Sequence, residues 1–303
     1  MTNDEAGGEQ DDLLNSTLAG EISTLTQYMG SIDYMERFLE AAHTPEAGVA
    51  LTPVRPGFKL ASPGGLIGDQ LAWFVDRKPE FEAEFQALLV GRIGEEKTKR
   101  FFELLATRWI KGGSNKREGE ILDLIESVAN YARAVWTSDA PIVQLPIAPG
   151  GVPFLDQRDV ALILSANDQM LQSTIDDWLE VRPNGAELGR DEVFVSRGLA
   201  LKKSMRDRTT FSEYGFLSSY TLAISISEQF CRAQPGLAAM VHTEIDTFQG
   251  RVLFFSPFIP GMNGTQFELG VIPGSRPDRL AFQMEHSGVE EYRLGDLPED
   301  ISA

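Results

Sequence analysis

The spacing of apolar residues changes once along this chain, and that change limits the fold to a helical part followed by a sheet-rich part. From Leu13 to about His43, the residues Leu18, Ile22, Leu25, Met29, Ile32, Met35 and Leu39 recur at intervals of three and four, the stripe one helix face needs. Prolines and glycines at 44 to 65 predict a loop. Helical spacing returns over Leu66 to Val75, breaks at Pro79, and resumes over Phe81 to Val90, Thr98 to Ile110, Glu118 to Trp136 and Asp159 to Val181.

Beyond residue 190 the pattern is of short runs rich in β-branched and aromatic residues between Gly and Pro turns. These are Val193 to Val195, Tyr214 to Leu217, Ala238 to Ile245, Arg251 to Phe255, Phe267 to Ile272, Leu280 to Met284 and Glu291 to Leu294. One helix interrupts them, Leu222 to Arg232, with Leu222, Ala223, Ile226 and Phe230 as its apolar stripe. Helices first and strands later predict an α+β fold, not the βαβ alternation of a doubly wound nucleotide-binding sheet. No GxGxxG or Walker sequence follows any of the predicted strands.

The expected organisation is a disordered acidic tail at residues 1–12, a helical domain at 13–150 that covers a cleft or recruits a substrate, and a second domain at 151–303. Asp139 to Pro153, dense in proline, reads as the linker. At 303 residues and 42% hydrophobic content the chain can bury one large core or two modest ones. A formal net charge of −18 repels a phosphate backbone, which disfavours nucleic acid as a partner. The single cysteine, Cys231, excludes an internal disulfide, and His43, His242 and His286 show no metal-ligand spacing, so no metal is expected. Cys231 reads as a buried small residue at a helix end. No apolar run reaches the roughly 18–20 residues of a membrane helix, and the acidic N-terminus lacks the form of a signal peptide. The expectation is a soluble protein with no membrane partner, made in the cytoplasm and exported, if at all, by a dedicated machine.

Three segments stand in a suggestive order: Arg197-Gly198 after an apolar run, Gly215-Phe216-Leu217-Ser218-Ser219-Tyr220 about twenty residues on, and Gln266-Phe267-Glu268 ahead of a strand. Their order, spacing and strand context resemble the Arg, Ser and Glu signature of mono-ADP-ribosyltransferases. The resemblance covers residues 157 to 296 and not the helical half. Where the family has Ser-Thr-Ser, this chain reads Ser218-Ser219-Tyr220; from Glu268 to Pro273 it has one residue more than the common run, and the stretch from Arg197 to the serines is short. The resemblance implies a split β-sandwich that holds NAD in a central cleft, NAD as substrate, and a toxin or effector that modifies a protein.

It also implies roles. Glu268 would stabilise the positive charge that develops on the ribose as the nicotinamide bond breaks, as a carboxylate does in glycoside hydrolysis. Ser218 would hydrogen-bond to Glu268 and aim it, with Ser219 beside it on the cofactor. Arg197 would pair with the NAD diphosphate or ribose, since guanidinium is a planar fork of donors that stays charged. Gly198 would let the backbone approach the nicotinamide amide. Phe230 and Arg232 stand where the family places a loop over nicotinamide and phosphates. Gln266 would select the acceptor: it cannot take a proton from a guanidinium, but it can exchange paired hydrogen bonds with an Asn or Gln amide or with a guanine edge. Gln at this position resembles the asparagine-modifying Rho exoenzymes, some glutamine modifiers, and the guanine-modifying pierisin type. The segment Pro257 to Gln266 resembles the family's acceptor-recognition loop, with Phe258 and Met262 available to a protein substrate. Two further readings stay open: an NAD glycohydrolase with water as acceptor, and a non-catalytic interaction protein on the same scaffold.

Overall fold

The computed structural model describes residues 69–109, 119–135, 150–181, 193–211, 217–232, 236–286 and 288–295. The expected acidic tail, the Leu13–His43 helix, the loop at 44–65, and most of the linker at 139–153 lie outside them, as do His43, Gly215 and Phe216.

Five helices come first: α1 (Asp69–Asp76), α2 (Lys78–Ile93), α3 (Glu95–Leu104), α4 (Ile121–Val135) and α5 (Gln157–Val181). The break expected at Pro79 is the first turn of α2, where a missing N–H costs no hydrogen bond. Phe81, Phe85, Leu89 and Ile93 recur every fourth residue and form the buried face of α2. A π-helical turn, Leu105–Trp109, extends α3 and carries Trp109 inward.

The strands are β1 (Phe194–Leu201), β2 (Thr210–Phe211), β3 (Ser218–Thr221), β4 (Leu237–Glu244), β5 (Val252–Phe255), β6 (Glu268–Val271), β7 (Asp278–His286) and β8 (Val289–Leu294), with α6 (Ile224–Arg232) between β3 and β4. They form one sheet in the order β2-β7-β8-β4-β1-β3-β6-β5. The sheet is mixed, since β4 and β8 run parallel whereas the other neighbours are antiparallel. This is an α+β architecture. Along its whole length β1 is paired to β4, from Phe194↔Glu244 to Leu201↔Leu237. To β3 it is joined by one pair, Ser196↔Thr221, so the two halves of the sheet part company just where Arg197 and Gly198 begin.

Helices and sheet share one large buried hydrophobic cluster running from Phe74 to Leu294, beside a smaller one of Cys231, Met240 and Val289. Phe85 and Phe81 of α2 meet Phe258 at ring distances of 5.6 and 5.8 Å. Asn167 of α5 donates to the Leu253 carbonyl of β5 at 2.7 Å, which ties helix to sheet. Each buried phenylalanine in this contact contributes roughly 1.5–3 kcal/mol. Among the described residues this cluster shows no break at the division expected near residue 150.

Besides Asp159 of α5, which pairs with Lys97 at 2.5 Å, buried charge among the described residues gathers on β8. Glu290, Glu291 and Arg293 of β8 are buried, with Glu290 ion-paired to Arg206 at 2.8 Å and Arg293 to Glu244. Pairing of this kind is what burial of a charge requires. Among the described residues, no helix is long and apolar enough to cross a membrane.

Candidate active site

The chain enters β6 through a tight 3-10 turn, Gly264–Gln266, followed by Phe267 in the left-handed region at φ 46° and ψ 38°. For a bulky residue that conformation costs on the order of 1–3 kcal/mol and persists only where the surroundings enforce it. Here the Phe267 ring is fully buried, 6.0 Å from that of Phe74, and its carbonyl accepts from Leu222 N at 3.3 Å. The Thr221 hydroxyl, in turn, donates to the Gln266 carbonyl at 2.6 Å. The consequence is a fixed start to β6, with Glu268 as its first residue.

Glu268 is held at three points. Its backbone N–H donates to Ser256 Oγ at 2.9 Å. Its Oε1 accepts from Ser219 Oγ at 2.5 Å and from Trp109 Nε1 at 2.8 Å. Both side-chain donors converge on one oxygen, and Oε2 has no hydrogen-bond partner among the described residues. Charge-assisted bonds of this type are stronger than neutral ones and fix the direction of the carboxylate.

The hydroxyl against Glu268 therefore belongs to Ser219, and the expected bond from Ser218 is corrected. The reason is strand parity. In the β3–β6 pairing Thr221 lies opposite Glu268, Ser219 opposite Gly270 and Ser218 opposite Val271. Side chains alternate across a strand, so Ser219, Thr221 and Glu268 share one face while Ser218 and Tyr220 take the other, where both are buried. The pair of same-face hydroxyls is thus Ser219 and Thr221, one residue later than the motif was expected to begin. Thr221 was missed; its i, i+2 spacing from Ser219 says that the two share a face but not which face that is.

Arg197 and Gly198 stand where β1 leaves β3. The Arg197 guanidinium carbon lies 5.9 Å from the Tyr220 ring centroid, on the face opposite Glu268, so the two groups are not brought together. At Gly198 the space that a side chain would fill is occupied: a Cβ would sit 1.9 Å from the Ser227 carbonyl oxygen of α6. A further bond, Ser196 Oγ to Ser227 Oγ at 2.8 Å, fastens α6 to the same strand. Phe230 and Arg232 are on α6 itself rather than in the loop beyond it. Phe230 is 40% exposed, and Arg232 Nε donates to Glu228 one turn back at 2.9 Å. Among the described residues the side-chain donors to Glu268 are Ser219 and Trp109, not Phe230 or Arg232.

The segment Pro257 to Gln266 is anchored rather than open. Phe258, Ile259 and Met262 are buried, so Phe258 and Met262 are core residues and the expectation that they meet a protein substrate is corrected. Phe258 points inward because Phe81 and Phe85 of α2 supply an aromatic surface for it. Gln266 stays part-buried at the end of this segment, two residues from Glu268.

Two groups lie outside this site. Burial pushes the Cys231 thiol up to about 12, which leaves it protonated and poorly nucleophilic at neutral pH. Burial pushes His242 down to about 3, which keeps it neutral in the core. Among the described residues, no group of three or more His, Cys, Asp or Glu side chains is placed to hold a metal ion.

No protein-family model matches this chain, and no curated protein does. Among solved structures it is similar to the Vis toxin, an ADP-ribosyltransferase from Vibrio splendidus, at 7% identity and a TM-score of 0.36, over 84% of this chain and 91% of that one. A second structure, the ADP-ribosyltransferase Vis in complex with the M6 inhibitor, is similar at 10% identity and a TM-score of 0.29, over 65% and 91%. TM-scores this low do not establish a common fold.

Proposed function

We propose that this chain is an NAD-dependent mono-ADP-ribosyltransferase that cleaves NAD at the nicotinamide–ribose bond and passes ADP-ribose to a protein side chain. The observation that carries the reading is the clamped carboxylate: Glu268 has one oxygen held by Ser219 and Trp109 and the other unengaged among the described residues. The parting of β1 from β3 supports it, because it opens the sheet beside the Arg197-Gly198 segment, as a split sandwich with a central NAD cleft requires.

The chemistry asks for a fixed negative charge. As the C1′–N bond of NAD breaks, nicotinamide leaves with the bonding pair and the ribose gains oxocarbenium character. Glu268 Oε2 meets that charge and accepts from a ribose hydroxyl, with no reorganisation needed at the moment of reaction. The acceptor atom then bonds to C1′ and releases its proton. Because Arg197 lies across the sheet from Glu268, no contact with the cofactor is assigned to it; the α6 end carrying Phe230 and Arg232 is assigned to border the cofactor. Gln266 is assigned to the acceptor, an amide side chain on a protein. The charge of −18 favours a protein over nucleic acid in that role.

Ser219→Ala is expected to lower turnover roughly ten- to a hundredfold at unchanged KM for NAD, the worth of a hydrogen bond to a charged group. Ser218→Ala is expected to leave kcat within about twofold and to act on stability, since its side chain is on the other face. Equal effects of the two on kcat would remove Ser219 from its assigned role. Gln266→Ala is expected to spare nicotinamide release while lowering transfer by an order of magnitude or more, about 1.4 kcal/mol. Loss of both together would make Gln266 part of the cleavage machinery.

The deciding experiment is transfer of labelled ADP-ribose from NAD to proteins of a cell lysate, with free nicotinamide counted in parallel and Glu268→Ala as control. Labelled bands lost in the control establish the transferase. Nicotinamide without bands assigns a glycohydrolase, and silence in both channels returns the chain to a non-catalytic scaffold.

A further inference from the structure

Trp109 lies 159 positions away from Glu268 in sequence, yet its indole N–H donates to Glu268 Oε1 at 2.8 Å. It is buried, and its ring packs edge-on to that of Phe254, 5.7 Å between centroids at 74°. Phe254 is seated over Gly270, where a Cβ would come within 2.1 Å of its ring, so the missing side chain at 270 makes room for the phenylalanine that backs the tryptophan. The order inward is thus Gly270, Phe254, Trp109, Glu268. The π-helical turn Leu105–Trp109 that delivers the indole is wider than the α-helix it continues, and turns of this kind concentrate at functional sites.

We infer that Trp109 is a positioning residue for Glu268, supplied by the helical part of the chain, so that the carboxylate is aimed only when helices and sheet are packed together. The inference rests on the proposed NAD-cleaving role of Glu268. With Trp109 and Ser219 both on Oε1, rotation of the carboxyl about its last bond is arrested and Oε2 is presented to the ribose. The serine alone, a single rotatable hydroxyl, restrains distance but not the second angle. The indole, locked by Phe254, restrains both.

The test combines kinetics with a direct view of the bond. Trp109→Phe keeps a ring against Phe254 and removes the donor. It is expected to lower kcat for nicotinamide release roughly ten- to a hundredfold, with KM for NAD unchanged and the folded spectrum retained. In 15N-labelled full-length protein the Trp109 indole resonance, identified by its loss in Trp109→Phe, is expected to be protected from solvent exchange and to shift and lose protection in Glu268→Ala. Wild-type kcat in Trp109→Phe overturns the inference while leaving the NAD reading intact. An indole resonance unmoved by Glu268→Ala overturns the contact itself. No nicotinamide release by the wild-type chain overturns the reading on which the inference rests, and the resonance then still reports whether the two residues are bonded.

Discussion

Glu268→Gln is expected to slow nicotinamide release by roughly two to three orders of magnitude, about 3–4 kcal/mol of transition-state stabilisation, with NAD affinity nearly unchanged. The substitution is close to isosteric, and the amide oxygen can still accept from Ser219 Oγ and Trp109 Nε1, the two donors that now hold Oε1. Its other arm, the NH2, then stands where Oε2 was. What is lost is the negative charge on the arm that faces the ribose, and that charge matters only once the ribose becomes cationic. An interaction absent from the ground state and present in the transition state changes kcat without changing binding. Single-turnover nicotinamide release, with NAD binding followed by calorimetry, separates the two. A large loss of affinity at unchanged turnover would assign Glu268 to binding and remove it from the chemistry.

The second large effect is expected on the fold. Gly198→Ala places a Cβ 1.9 Å from Ser227 O, 2.8 Å from Cys231 N and 2.9 Å from Ser227 C. These are backbone atoms of α6, so no side chain can swing aside and the helix must lift from β1. Gly198 is not among the residues at positive φ, which makes space rather than conformational freedom the reason for glycine. Lifting α6 would also stretch the Ser196–Ser227 hydroxyl pair at 2.8 Å. The expected cost is about 3 kcal/mol or more, the upper range for overpacking, and a fall in Tm of roughly 6–12 °C. Thermal unfolding followed by circular dichroism measures it. An unchanged Tm would mean that α6 is more loosely seated than the geometry shows. Because α6 follows β3 directly and borders the split between β1 and β3, any surviving folded fraction should also lose NAD cleavage. Gly198 therefore has a packing role whether or not its backbone meets nicotinamide.

Much of the fold was legible in the sequence because secondary structure depends on near neighbours. The helical stripe over Phe81 to Val90 became α2, and the run Asp159 to Val181 became α5 with little change of boundary. The apolar run at Ala238 to Ile245 became β4, and Glu268 to Val271 is β6 within a residue or two of expectation. The two-residue strand β2, Thr210–Phe211, was missed, being too short to carry a period. The order of the segments drew attention to Glu268 and Ser219, which the structure brings within hydrogen-bond distance, but not to Thr221 on the same face.

Which serine faces Glu268 was beyond reach of that reading. A shift of one residue in where β3 begins its pairing exchanges the two faces of the strand, and nothing in Leu217-Ser218-Ser219-Tyr220-Thr221 sets the parity. The sheet decided it, by placing Thr221 opposite Glu268 and burying Ser218 and Tyr220 on the other side. Phe258 went to the core for a similar reason, since a loop's apolar residue stays exposed only until an aromatic surface such as that of α2 is packed against it; Met262 is buried as well.

By itself, then, the sequence determined the kinds of element, their order, the buried face of α2 and the acidic residue at the start of β6, because periodicity and turn chemistry are local properties of the chain. It did not determine the face of α6, where Ser225, Ser227, Gln229 and Cys231 are buried and Phe230 of the expected stripe is exposed. The parity of β3, the common core of helices and sheet, and the approach of Trp109 to Glu268 were decided by tertiary packing alone. Contacts between residues as far apart as 109 and 268 depend on how whole elements bury their faces, and no short-range pattern records that.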